Sequence, residues 1–315
     1  MNTRIAVSLA LCLALCLLLT GCALHFGGGS GESGSAKLHK GELVPEDYSV
    51  LELDVNVAEI TIGPGVSWRV EYGLYEEPEI TQEGGAFSLR EKEGHWNVVN
   101  LHSGNDPYVR VTVPADRLEQ VTILLDVGDT KICNLDFGAL RIDQDTGDLH
   151  LEGMILDSLA VDLDTGDGLL RDVSVLTNAE LKSDVGNLRL ENVSAVELLS
   201  AEIDTGDVRA AHLTAPIVNV SCDTGDIEME DVNADAITAG SDTGEVELEL
   251  TGAPEDYAMD LRTNVGEVEV NDADQGDKFT SAGGAKTLTA HSDVLDVGDR
   301  QYSLPPLLKK NINYK

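Results

Sequence analysis

An acidic glycine turn recurs eight times along this chain at nearly equal spacing. Asp-Thr-Gly-Asp occupies 145–148, 164–167, 204–207 and 223–226. Looser copies are Asp-Val-Gly-Asp at 126–129, Asp-Val-Gly-Asn at 184–187, Asp-Thr-Gly-Glu at 242–245 and Asn-Val-Gly-Glu at 264–267. The turn glycines are separated by steps of 19, 19, 20, 20, 19, 19 and 22 residues. A fixed period near 20 is the mark of a solenoid, in which each repeat forms one coil and buries its apolar face only against its neighbours.

Residue alternation shows what the coils are built from. Four residues after the first Asp come Thr130, Leu149, Gly168, Leu188, Val208, Ile227, Val246 and Val268. Six residues after it come Ile132, Leu151, Leu170, Leu190, Ala210, Met229, Leu248 and Val270. Polar residues such as Lys131, His150, Arg189 and Glu228 lie between them. Period two is a strand with one buried face. A second strand precedes each turn, with Leu140, Leu159, Ala179, Leu199, Val218 and Ile237 five residues before the Asp. The chain is therefore expected to be all-β: a parallel β-solenoid of about 19–20 residues and two short strands per coil. Gly supplies the positive φ such a corner needs, and Asp or Asn bonds nearby backbone N–H groups.

The repeat sets the domain plan. Leu51, Leu53, Val55, Ile60 and Ile62 place an initial coil at 48–62. WRVEY, FSLRE, WNVVNL and YVRVTVP alternate between Gly/Glu-rich turns and suggest a strand-rich cap, so 48–120 form the N-terminal coil and cap. Residues 121–270 form the regular solenoid. The register weakens beyond it, which predicts a loop over 271–287 and an irregular closing coil and tail within 271–315.

The start of the chain gives an address. Arg4 precedes an apolar run over 5–19, too short for a membrane span and of signal-peptide length. Leu19-Thr20-Gly21-Cys22 follows and resembles a bacterial lipobox. Residues 1–21 are read as a lipoprotein signal peptide and Cys22 as the lipidated residue. GGGSGESGSA at 27–36 lies in a flexible tether over 22–47, with a root-mean-square reach of about 25–30 Å. This places the chain in a bacterial cell envelope, on the extracytoplasmic side. The formal charge of −36 repels nucleic acid and anionic lipid and favours cationic partners. Cys133 and Cys222 fall in coils that are not neighbours, so neither a disulfide nor a metal site made from the two is expected.

Taken together, VLELDVNVAEITI, YVRVTVPADRLEQVTI and iterated blocks such as DTGDLHLEGMILDSLAVDLDTGD resemble the bacterial "putative adhesin" β-strand-repeat family over roughly 48–304. The resemblance implies a β-solenoid and a surface-exposed role. It brings no catalytic motif.

Two surface features are candidate sites. The first is the corner ladder, which includes Asp126, Asp129, Asp145, Asp148, Asp164, Asp167, Asp204, Asp207, Asp223 and Asp226. Carboxylates about 4.8 Å apart repel by roughly 0.9 kcal/mol even in water. Turn hydrogen bonds, salt screening or bound Ca2+ must offset this. Calcium accepts many oxygen ligands in loose geometry, although the nonapeptide of calcium-binding β-rolls is missing. The second feature is a basic stripe of Lys131, His150, Arg189 and Arg209, with Arg171 nearby and Glu152 and Glu191 alongside. It reads as ladder ion pairing, or as a docking strip for an anionic wall polymer. The seven histidines show no metal or triad spacing, and HExxH, GxSxG and P-loop motifs are missing. The expected function is a non-catalytic lipoprotein module that binds an envelope protein or wall polymer or acts structurally. Two alternatives stay open: an acidic scaffold for calcium or cationic peptides, and a polysaccharide-active β-helix enzyme.

Overall fold

Apolar side chains spaced one coil apart meet in straight inward columns. In the computed structural model, which describes residues 38–44, 48–92, 106–114 and 118–299, Leu159 pairs with Ala179, Ala179 with Leu199, Leu199 with Val218 and Val218 with Ile237. All five are buried, and with their counterparts on the other face they belong to one aliphatic core. Each regular coil carries one strand before its acidic turn and one after it, as in Asn178–Val185 followed by Leu188–Ala195. Equivalent strands pair in parallel from coil to coil, so the chain is a parallel β-solenoid. No helix among the described residues is long and apolar enough to cross a membrane.

The strand after the turn is bent, and the bend has its own sequence signal. Asn134, Gly153, Asp172, Asn192, His212 and Asp231 all take φ between 53° and 66°. Each lies eight residues after the first Asp of its turn. Gly, Asn, Asp and His are the residues that enter the left-handed region most readily. The bend redirects the chain, so that Val173 and Val193 bury a further side of each coil.

Both ends depart from simple winding. Strand Val50–Val57 lies between Leu118–Val127 and Ala86–Arg90. Strand Glu59–Pro64 likewise lies between Thr130–Cys133 and Tyr108–Val113. The first coil in the chain is thus the second in space. The last coil repeats this arrangement. Lys286–Ser292 inserts between Ala236–Thr243 and Tyr257–Thr263, and Val294–Asp299 between Glu245–Leu250 and Val268–Val270.

This coil keeps the inward columns, and the distortion that the sequence suggested is confined to its corner. Its Leu288, Ala290, Leu295 and Val297 are fully buried. Gly240 faces His291 and Glu245 faces Val294, so its corner has two residues fewer than its neighbour's. The shortening explains why Asp296-Val297-Gly298-Asp299, which resembles a corner, lies within a strand. The expected loop over 271–287 contains short strands at Ala273–Asp274 and Lys278–Thr280, which run antiparallel along the outermost coil. The opposite end is closed by antiparallel Glu79–Glu83 and Arg69–Leu74, the latter paired with His39–Leu43, which the sequence assigned to the flexible tether and which backbone pairing instead holds as a strand. Antiparallel strands over both ends of a parallel stack cover edges that would otherwise template pairing with another chain.

Candidate functional site

The acidic corners are shaped first by their glycines. Gly128, Gly147, Gly166, Gly186, Gly206, Gly225 and Gly244 have φ between 133° and 153°. A Cβ on Gly166 would stand 1.9 Å from the carbonyl oxygen of Gly147, and each of the other corners repeats the clash with the coil before it. Stacking therefore demands glycine as strongly as the turn does.

The two acidic columns of the corner have different environments. The second Asp of each turn is hydrogen-bonded. Asp129 Oδ1 accepts the N–H of Asp148 at 2.9 Å, and Asp148 Oδ1 accepts that of Asp167 at 3.0 Å. The row continues through Asp167 to Asn187, Asn187 to Asp207, Asp207 to Asp226 and Asp226 to Glu245. One side-chain oxygen per rung, a carboxylate except at Asn187, thus ties each coil to the next, which is one of the offsets the sequence called for.

The first Asp of each turn has no such bond. Asp126, Asp145, Asp164, Asp184 and Asp204 have carboxyls raised above the ordinary aspartate value. Partial burial is the larger cause, and neighbouring carboxylates in the stack add to it, as Asp145 does to Asp164. These five have no ion-pair or hydrogen-bond partner for their side chains among the described residues. Of the remaining predicted residues, Asp223 occupies the same outer column.

The basic stripe forms in the expected register. Lys131 pairs with His150, His150 with Leu169, Leu169 with Arg189 and Arg189 with Arg209. Its arginines spend their charge within the sheet. Arg171 and Arg189 both reach Glu191, at 2.6 and 2.5 Å, and Arg209 reaches Asp207 and Glu228 at 3.2 and 3.3 Å. His150 pairs with Glu152 at 3.1 Å. Cys133 and Cys222 are both free thiols. Cys22, the signal segment and the glycine-rich run at 27–36 lie outside the described residues.

The sequence reading passed over the left-handed row at the second bend. There Asn192 Nδ2 donates to Asp172 Oδ1 at 2.6 Å, and His212 Nδ1 meets Asp231 Oδ2 at 2.7 Å. The recurrence of Asn, Gly, Asp and His eight residues after the first Asp of six successive turns was the signal that could have revealed it.

Comparison with known proteins agrees with the architecture. A "putative adhesin" from Parabacteroides distasonis ATCC 8503 superposes with a TM-score of 0.53 at 12% identity, over 84% of this chain and 98% of that one. A "putative adhesin" from Bacteroides fragilis NCTC 9343 gives a TM-score of 0.44 at 13% identity, over 84% and 98%. A "putative lipid binding protein" from Parabacteroides distasonis ATCC 8503 gives 0.43 at 14%, over 85% and 98%. At these identities the first likeness speaks for the fold alone, and the other two carry no further argument. No curated protein matches the chain. Residues 48–297 match the profile described as Toastrack DUF4097, which takes in every coil from the first corner to the strand that closes the stack, and the chain belongs to that family.

Proposed function

We propose that this chain is a non-catalytic binding module of a bacterial envelope, held to the membrane through lipid at Cys22 and displaced from it by the segment between Cys22 and the strand His39–Leu43. The observation that carries this reading is the flat, periodic flank of the solenoid. Outward side chains repeat in straight rows at coil spacing, about 4.8 Å. Such an array suits an extended partner that contacts many coils at once, such as an envelope protein or a wall polymer. The row Asp126–Asp145–Asp164–Asp184–Asp204 has no compensating partner among the described residues, whereas the arginines of the basic stripe are paired with their own neighbours. Net attraction therefore runs toward cationic partners, including basic peptides or basic protein patches.

The test is binding of the full chain, in detergent or vesicles, to isolated cell-wall fractions and to a basic and an acidic peptide of equal length. The reading expects binding to the basic peptide that weakens steeply with salt and drops when Asp145, Asp164 and Asp184 are changed to Asn. Equal binding of both peptides, or turnover of any glycan in a broad panel, would overturn it. Calcium is the second reading for the ladder. A melting temperature raised by calcium but not by magnesium would transfer the function of the row to that ion.

A further inference from the structure

Coil stacking brings together three side chains that lie 17 and 2 residues apart in sequence. Cys133 and Glu152 are direct partners across the parallel ladder, and His150 precedes Glu152 by two residues on the same outward face. One ligating atom from each, the thiol sulfur, an imidazole nitrogen and a carboxylate oxygen, lie within 4.8 Å of one another. His150 Nε2 and Glu152 Oε2 are already 3.1 Å apart. All three residues are half-buried. Among the described residues no other three His, Cys, Asp or Glu converge in this way. The acidic corners, with many more carboxylates, do not.

We propose that Cys133, His150 and Glu152 bind one divalent cation of the zinc class, leaving one coordination position open to solvent or to a fourth ligand. The donor set points to the metal. Thiolate and imidazole select borderline-soft ions, and calcium and magnesium prefer oxygen alone. A tetrahedral zinc ion with bonds of about 2.0–2.3 Å spaces its donors about 3.3–3.8 Å apart, so donors within 4.8 Å of one another must close by up to about 1.5 Å. Side-chain rotation supplies that movement, because the paired strands already hold the three backbones in register. Glu152 is available for the ion, since Arg171, next in its column, is engaged at 2.6 Å by Glu191. A bound cation takes the Cys133 sulfur as the thiolate, so metal binding would release a proton. The open position is the geometry of zinc sites that accept an exchangeable ligand.

The site is independent of the envelope-binding reading and is tested separately. The full chain, purified in detergent, reduced and freed of metal by chelation, is titrated with cobalt(II) as an optical probe. One equivalent should saturate a near-ultraviolet thiolate-to-cobalt band together with the intense visible bands of four-coordinate cobalt. Zinc should bleach both, and calcium neither. Cys133→Ser should abolish the thiolate band, and Cys222→Ser should leave it intact. His150→Ala and Glu152→Gln should each weaken binding roughly tenfold or more, with unchanged circular dichroism. Absence of the band in the unmodified chain, its survival in Cys133→Ser, or affinity indifferent to both His150 and Glu152 would overturn the proposal.

Discussion

At the residue scale, the corner glycine answers to two constraints, its own φ and the carbonyl of the coil below. Gly166 has φ 147° and 1.9 Å between a notional Cβ and Gly147 O. Gly166→Ala should therefore cost about 2–4 kcal/mol, more than a positive φ alone, and the melting temperature would show it. A Gly166→Ala variant as stable as the parent would remove the stacking argument. Gln144 makes the opposite prediction. It is 1% exposed, neither atom of its amide is hydrogen-bonded, and its column neighbours are Leu125 and Leu163. Gln144→Leu should stabilise the chain by about 1–2 kcal/mol, because it removes an unmet polar burial and continues an aliphatic column. A drop in stability would mean that the amide is bonded after all.

At the element scale, the corner behaves as one unit whose two carboxylates pull in opposite directions. Asp167 Oδ1 accepts both the backbone N–H and the side-chain amide of Asn187, at 2.8 and 3.0 Å. Asp167→Ala should destabilise by about 1 kcal/mol, the ordinary worth of such a bond. Asp164, three residues earlier, faces carboxylates in its own column. Asp164→Asn should stabilise by a few tenths of a kcal/mol at low salt, a small figure because solvent screens an exposed group. Denaturant melts of the two variants would separate the roles, and shifts of the same sign would refute the division. Period and residue type made the corner visible in the sequence. Which of its two acids is tied to the next coil was not visible, because that depends on the direction in which the backbone N–H of the neighbouring coil points.

At the scale of the whole molecule, like charges stacked along one edge couple stability to pH. The carboxyls of Asp126, Asp145, Asp164, Asp184 and Asp204 are harder to ionise in the fold than in the unfolded chain. Their contribution to stability is fully present below the unfolded value and is lost as pH rises through the folded one. Glu191 and Asp260, lowered by hydrogen bonds from Arg171 and Arg262, act in the opposite sense, but they are two groups against the five of the row, and solvent screening weakens all of them. The melting temperature should rise on acidification from pH 7 toward the ordinary aspartate range, and less so in high salt. A melting temperature that falls steadily over that interval would show that the row does not govern stability.

The repeat of Asp-x-Gly-Asp, with Leu, Val and Ile alternating on either side, was sufficient by itself to determine a parallel β-solenoid, its coil length and its inward columns. Periodicity encodes these directly, since a strand shows its buried face every second residue and a coil returns to the same corner every 19 or 20. The tertiary structure alone decided the order of the terminal coils, with Val50–Val57 and Lys286–Ser292 each placed second from an end. The order of the end coils depends on which distant strands pair, and no local pattern in the chain records that choice. The repeat does set Cys133 one coil before Glu152, but that the side chains of Cys133, His150 and Glu152 converge was decided by their directions in the folded sheet.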